Sequence, residues 1–456
     1  MKDVYAYIES NRERFLSELM DLVRQPSISS TGEGIPECAR LVTEFTEACG
    51  VRARMIEGYG NPMIFGEAGP SDADQTVLIY GHYDVQPPDP LDAWTSPPFE
   101  PTIRNGRIYA RGSADNKGQL FAQLKGLEAV LKVWGGLPVR VKVLFEGEEE
   151  NGSKGLDGFV RDHRDMLACD LVYCADGGHS YGDRPEVVFG SRGMLYVEIE
   201  GQGPNRDLHS GNYGGVVDSP IERFCRLVSR LKDEKSKVKI PGFYDEVLEP
   251  TDLDLKALKA LPDGEAGLME DVGLARSVGD AEMPFHQRRG LYPTLNVNGF
   301  RGGHIGPGMK TIIPADAGLK IDMRLVERQT PDEIYGKLTD FLNESGFDDL
   351  EVTPLGKMTP WRTSLDDPRA TCVIRAVSSA FGTEPYLVPS IGGSLPMASF
   401  KQIPGVPIFL VPYGQRDHNN HSPNENLAIE NFINGVRTTA NLLKELGTNP
   451  TEESKS

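Results

Sequence analysis

The chain has few cysteines, few histidines, no basic excess and no long apolar run, and each shortage closes off a class of function. Its six cysteines (Cys38, Cys49, Cys169, Cys174, Cys225 and Cys372) lie scattered over 456 residues without a Cys-x-x-Cys pair. That argues against a disulfide framework and against a thiolate zinc site. Acidic residues outnumber basic ones, 67 to 48, for a net charge of −19. Neither nucleic acid nor an anionic membrane surface is drawn to such a field. No basic start leads into an apolar core, and no run approaches the length of a membrane span, so a cytoplasmic location is expected. Any metal has to rely on the eight histidines and the many carboxylates.

What is present is organised around Val77-Leu78-Ile79-Tyr80-Gly81-His82-Tyr83-Asp84. Its apolar run bounded by Gly81 reads as a short buried strand, with a His and a carboxylate at its C-terminal end. In open α/β sheets ligands bind along that edge. In extended chain His82 and Asp84 point to the same side, so the carboxylate can accept from the second ring nitrogen and fix the tautomer.

The length implies two domains. Helical spacing covers 3–24 and 36–49, the latter with Pro36 in its first turn and Gly50 beyond its end. Strands near 51–57 and 62–67 lead into the organising strand. From Gln86 to Ser113 six prolines exclude a helix and predict a long irregular loop, a kind that is usually functional. A helix follows over about 118–134, then a strand at 139–145 ending in the Glu148–Glu150 run. A helix over about 153–166 comes next, then a strand at 171–174 ending at Asp176. Strand, acidic loop and helix in repetition predict a mostly parallel sheet with right-handed crossovers.

Beyond about residue 190 the segments 194–200 and 319–324 alternate, as strands with one solvated face do. Helices fit 219–233 and 331–344. Residues 191–358 thus read as an inserted α+β lid or dimerisation domain, antiparallel with helices on one side, although 241–290 carries little signal. The catalytic α/β domain comprises 1–190 and 359–456, with a helix at 368–381, a buried strand at 407–411 and a closing helix at 427–446. Residues 449–456 are polar and read as disordered.

Successive strand ends therefore offer His82, Asp115, the Glu148–Glu150 run, Asp176 and His421, with His418 a local competitor for the last. Taken singly, Asp115 is a helix cap, the Glu run a solvated loop and Asp176 the start of a turn. Taken together, two imidazoles and three carboxylates exceed the needs of one catalytic ion. They suit two ions sharing a bridging carboxylate about 3.5–4 Å apart, zinc first and manganese or cobalt as competitors. The acidic run keeps one carboxylate to spare, and a Glu that is not a ligand can move a proton from water to a leaving amine. That combination is amide hydrolysis.

These segments resemble the co-catalytic zinc family of acetylornithine deacetylase, carboxypeptidase G, peptidase V and the cytosolic and carnosine dipeptidases. The similar stretches are Gly81–Val85, Trp94 with Pro98-Phe99, Gly106–Gly112 into Asp115–Gly118, and Glu149–Ser153. Asp207–Gly211, Gly392–Ser394 and His421-Ser422 continue the likeness, which spans nearly the whole chain and lies nearest the dipeptidase branch. The resemblance implies one ion on His82 and Asp176, another on Glu150 and His421, and Asp115 bridging them through a cis peptide to Asn116. It makes Glu149 the general acid/base, Asp84 the residue that orients His82, and Glu148 an extra. It also implies that the lid's His209 reaches a carbonyl oxygen, often in a neighbouring subunit's site, within a homodimer formed through the lid. Arg324, with Ser394 and the Gly393 backbone, would bind the substrate carboxylate. His304 and Asn296 lie in the lid, and His304 is not expected to be a ligand. The expected activity is a dipeptidase acting next to a free carboxylate. An N-acyl or N-carbamoyl amino-acid amidohydrolase is the alternative, and a non-catalytic peptide- or metal-binding homologue the remote one.

Overall fold

A computed structural model describes residues 1–280 and 282–448; the tail read as disordered, 449–456, lies outside them. The organising strand, Thr76–His82, sits inside an eight-stranded sheet. Arg140–Glu146 and Leu171–Cys174 flank it in parallel, and Ile408–Leu410 runs parallel to Leu171–Cys174. These four strands end at one edge, which gathers the loops carrying the candidate ligands. Arg52–Ile56 and Met63–Ala68 extend one side as antiparallel strands. Glu186–Val188 and Tyr386–Val388 extend the other. The sheet is thus mostly parallel at its centre and mixed at its margins.

The alternation along Thr76–His82 divides the interior in two. Val77 and Ile79 enter one core, beneath the helices Lys117–Trp134, Ala370–Phe381 and Ile429–Gly447. Leu78 and Tyr80 enter the other, with Phe159 of the helix Leu156–Asp162 and Phe400. A sheet covered on both faces explains why these strands read as continuous apolar runs. A third core belongs to a separate four-stranded antiparallel sheet, ordered Thr294–Gly302, Asp316–Leu325, Gly193–Gln202, Glu351–Met358. Leu195, Val197 and Ile199 face Phe224 and Leu227 of the helix Pro220–Leu231, and Ile334 and Leu338 of the helix Pro331–Glu344.

Four departures from the sequence reading have local causes. The helix expected over 3–24 is two, Lys2–Ser10 and Arg12–Arg24, broken where the Asn11 amide donates to the Tyr7 carbonyl at 2.9 Å. The helix expected over 153–166 likewise divides, at His163, into Leu156–Asp162 and Arg164–Leu167. The proline-rich segment contains a hairpin, Thr102–Arg104 with Arg107–Tyr109, turned by Asn105 and Gly106 at positive φ and joined to Asn426–Ala428. The weakly patterned stretch holds three short helices, Asp252–Ala260, Gly264–Asp271 and Phe285–Gly290.

Gly126 lets the helices Lys117–Trp134 and Ile429–Gly447 meet closely, since a Cβ there would lie 2.6 Å from Thr439 Cβ and 2.8 Å from the Val436 carbonyl oxygen. Alanine would gain about 1 kcal/mol of helix propensity. Overpacking against backbone costs about 1–3 kcal/mol and wins. Gly126→Ala should therefore lower the unfolding midpoint in urea, and a raised midpoint would refute the packing argument.

Candidate metal centre

His82 ends its strand fully inside the protein, and its Nε2 lies 3.2 Å from Asp115 Oδ1 and 3.7 Å from Asp176 Oδ2. His421 Nε2 lies 3.2 Å from Asp115 Oδ2 and 3.1 Å from Glu150 Oε2. Two sets of three candidate ligands result, His82–Asp115–Asp176 and Asp115–Glu150–His421, each with its atoms within 4.8 Å of one another and with Asp115 common to both. The Asp115–Asn116 peptide is cis. Asn116 ties the neighbouring strand ends together: its Oδ1 accepts from the His82 backbone N–H at 3.3 Å, and its amide donates to the Ala175 carbonyl at 2.7 Å.

Asp84 holds more than His82. The His82 Nδ1 sits 3.1 Å from the Asp84 carbonyl oxygen and 3.3 Å from its carboxylate. The same carboxylate accepts the backbone N–H groups of Glu149 at 3.1 Å and Glu150 at 3.0 Å. One side chain thus sets the register of the acidic run. Glu150 turns toward His421 and also accepts from Gln86 Nε2 at 2.9 Å. Glu149 lines the cleft but belongs to neither ligand set. Glu148 turns away, against Gly60.

Imidazoles and carboxylates perturb one another strongly here. Burial opposes ionisation of Asp115, but His421 and His82 on either side outweigh it and hold that carboxyl well below its usual range. Asp115 and Glu150 draw His421 up to about 10. Burial lifts Glu149 well above the ordinary carboxylate range; His82 opposes this, while Asp176, Glu150 and Asp115 reinforce it. The buried His82 Nε2 has no hydrogen-bond partner although it faces two carboxylates. An imidazole lone pair and carboxylate oxygens converging on one point are a divalent-ion donor set, so the residues fit the metal their chemistry implies.

Glu425, which the sequence reading passed over, anchors this loop from behind. It is fully buried. It accepts the backbone N–H groups of Gly112, Ala114 and Asp115 at 2.8–2.9 Å, and the equally buried Arg111 donates to it at 2.8 Å. Its signal was thin, one acid four residues after His421 in a loop full of asparagine.

The proposed substrate residues are only partly gathered. Gly393 and Ser394 line the same cleft of about 590 Å³ as Asp115, Glu149 and His421. Arg324 Nη1 donates to Ser394 Oγ at 2.9 Å, while its Nε donates to Asp322 at 3.0 Å. Arg192, which carried no sequence signal, holds that loop by donating twice to the Gly392 carbonyl at 2.9–3.0 Å. His209 does not line the cleft of its own chain. It lies exposed on the short strand Leu208–His209, with its Nδ1 accepting from the Gly211 N–H at 3.0 Å. His304 is exposed in a loop and Asn296 pairs with Asp322; neither touches the ligand sets.

Imidazole and carboxylate sets sharing one aspartate, at the C-terminal edge of a mostly parallel sheet, define a protein of the metallohydrolase class. The model of peptidase family M20/M25/M40 matches residues 78–445, and the chain belongs to that family. It is 30% identical to the Cys-Gly metallodipeptidase dug1 of Schizosaccharomyces pombe, over 97% of this chain and 98% of that one. It is 30% identical to the Beta-Ala-His dipeptidase of Homo sapiens, over 84% and 77% of the two chains. Among solved structures, the M20 family metallo-carboxypeptidase Sso-CP2 from Sulfolobus solfataricus superposes with a TM-score of 0.87 at 35% identity, covering 95% of this chain and 99% of that one.

Removing the Glu425 carboxylate strands Arg111 in the interior, and breaking a buried pair costs about 3–5 kcal/mol. Glu425→Ala should lose that much in denaturant unfolding and should bind less metal after dialysis. A loss below about 1 kcal/mol with normal metal content would refute the anchoring role.

Proposed function

We propose that this protein is a metallodipeptidase that hydrolyses the amide bond of dipeptides with a free C-terminal carboxylate. The observation that carries the reading is the pair of ligand sets joined by Asp115, with Glu149 beside them and bound to neither. The relatives named for Cys-Gly and Beta-Ala-His hydrolysis support small dipeptides as the substrate class.

In this reading His82 and Asp176 would hold one cation and Glu150 and His421 another, with Asp115 available to both sets. Zinc suits this donor set, with manganese or cobalt as competitors. The chemistry such ions would supply there is Lewis-acid polarisation of a carbonyl and a lowered pKa for water. Asp84 orients His82 and keeps Glu149 at the cleft. Glu149 takes the proton from the attacking water and delivers it to the departing amine nitrogen. Arg324, steadied by Asp322, pairs with the substrate carboxylate together with Ser394 and the Gly393 backbone.

His209 is the candidate donor to the developing oxyanion, worth about 2.7–4 kcal/mol where such donors have been removed. Because it lies outside the cleft lining of its own chain, the reading requires a homodimer in which a second copy supplies it. A cytoplasmic location accords with six free cysteines, and no helix among the described residues is long and apolar enough to cross a membrane.

Glu149→Gln should lower kcat by about 10²–10⁴-fold with metal content intact; near-normal turnover would remove Glu149 from the reaction. Chelation should abolish dipeptide hydrolysis, and added zinc or manganese should restore it. A panel of dipeptides against N-acetyl and N-carbamoyl amino acids tests the substrate class, and faster cleavage of the acyl compounds would make the protein an amidohydrolase instead.

A further inference from the structure

The cleft is lined by a cation that the reading above does not use. Arg289 belongs to the short helix Phe285–Gly290 and is exposed where it lines the cleft with Gly392, Gly393 and Ser394. Among the described residues its guanidinium has no hydrogen-bond partner and no carboxylate within 4.0 Å. Arg288 beside it is differently placed, since adjacent helical residues do not share a face. That neighbour donates to Glu265 at 2.7 Å and to the Val278 carbonyl at 2.6 Å.

The backbone fixes where Arg289 stands. A Cβ on Gly290 would fall 2.3 Å from the Ser390 carbonyl oxygen, so the end of the helix packs directly on that loop. A Cβ on Gly392 would fall 3.0 Å from the Arg289 carbonyl oxygen and 3.5 Å from its Cγ, so the stem of the side chain lies against Gly392. Arg192 joins the two segments, donating to the Gly392 carbonyl at 2.9–3.0 Å and to the Tyr292 carbonyl at 3.2 Å. Three arginines therefore meet this loop. Arg192 has its backbone carbonyls, and Arg324 has Asp322 and Ser394. Arg289 has neither.

We propose that Arg289 is a specificity-determining residue that selects dipeptides whose C-terminal residue is acidic, Asp or Glu. The proposal rests on the dipeptidase reading and deepens it. In that reading the main-chain carboxylate meets Arg324, Ser394 and the Gly393 backbone, and Gly392 is the next residue of the same loop. A second cation against Gly392 thus serves the residue that bears that carboxylate. An acidic side chain there brings a second anion to a guanidinium that lacks one, and such pairs form charge-assisted, often bidentate hydrogen bonds. The carboxamides Asn and Gln keep the shape and lose the charge.

The test uses the full chain loaded with zinc or manganese and the pairs Ala-Glu against Ala-Gln and Ala-Asp against Ala-Asn. In the wild type kcat/KM for the acidic member should exceed that for its amide by about 3-fold or more, the scale of an ion pair open to solvent. The difference should lie in KM, because the side chain is bound alike before and during the reaction, and it should shrink at high salt. Arg289→Gln should bring the ratio toward one, and Arg289→Lys should keep part of it. Arg289→Glu should reverse it and favour Ala-Lys over Ala-Gln.

Equal cleavage of acid and amide by the wild type overturns the proposal, as does a preference that survives Arg289→Gln. A preference found with Glu-Ala against Gln-Ala and not with the C-terminal pairs overturns the assignment to the C-terminal residue. An equal fall on all four dipeptides in Arg289→Gln, with the ratio intact, overturns selectivity by Arg289 and makes it a partner of the main chain. Failure of the loaded wild type to cleave any dipeptide instead sinks the dipeptidase reading, and this proposal with it.

Discussion

The candidate site depends on the hydrogen bonds that converge on one buried carboxylate. Glu425 takes three backbone N–H groups from Gly112 to Asp115 and a guanidinium N–H from Arg111, all within 2.9 Å. An isolated buried carboxylate is costly, and four donors, one of them charged, offset that cost. The chain segment holding Asp115 is thereby fixed to the segment holding His421, four residues before Glu425. Loops that begin more than 300 residues apart meet with both Asp115 oxygens within 3.2 Å of imidazole nitrogens. Packing against strand ends alone would place these loops near each other. The carboxylate fixes their distance.

A second carboxylate does comparable work at the other end of the site. Asp84 sits fully buried beside His82 and receives the Glu149 and Glu150 N–H groups. The acidic run thereby acquires a defined order: one side chain against Gly60, one toward the cleft, one toward His421. In the sequence the three glutamates are equivalent until Gly152-Ser153 is used to anchor them. In the structure two hydrogen bonds to one oxygen pair separate them.

What was legible in the sequence was whatever follows from local periodicity. The central strands announce themselves through apolar runs, and their C-terminal edge through the polar residues that interrupt those runs. The alternation of Gly193–Gln202 and Asp316–Leu325 likewise signalled a second sheet with different exposure. Features resting on distant partners were not legible. Glu425 looks like any loop acid until Arg111 is beside it, and Arg192 like any surface cation until it reaches Gly392. The hairpin at 102–109 carried its Asn105-Gly106 turn in plain view, yet the surrounding prolines concealed it, because strand pairing with Asn426–Ala428 is a tertiary fact. The exposed place of His209 within its own chain depends on the pairing of Leu208–His209 with Ile312–Ile313, which no local pattern records.

The two sheets divide the chemistry between them. The large sheet brings concentrated negative charge to its edge and restrains it with imidazoles, and Glu425 completes the arrangement by joining loops far apart in the chain. The small sheet brings Arg324, whose guanidinium is held by Asp322 in its own sheet while its other end reaches Ser394 across the chain. That pairing ties the guanidinium to Ser394, which lines the cleft, and keeps it off the carboxylates of the ligand sets. In the proposed reading that guanidinium is the partner of an anionic substrate group. In the proposed reaction each sheet answers for one end of the dipeptide, the large one through Glu149 at the scissile amide and the small one through Arg324 at the terminal carboxylate.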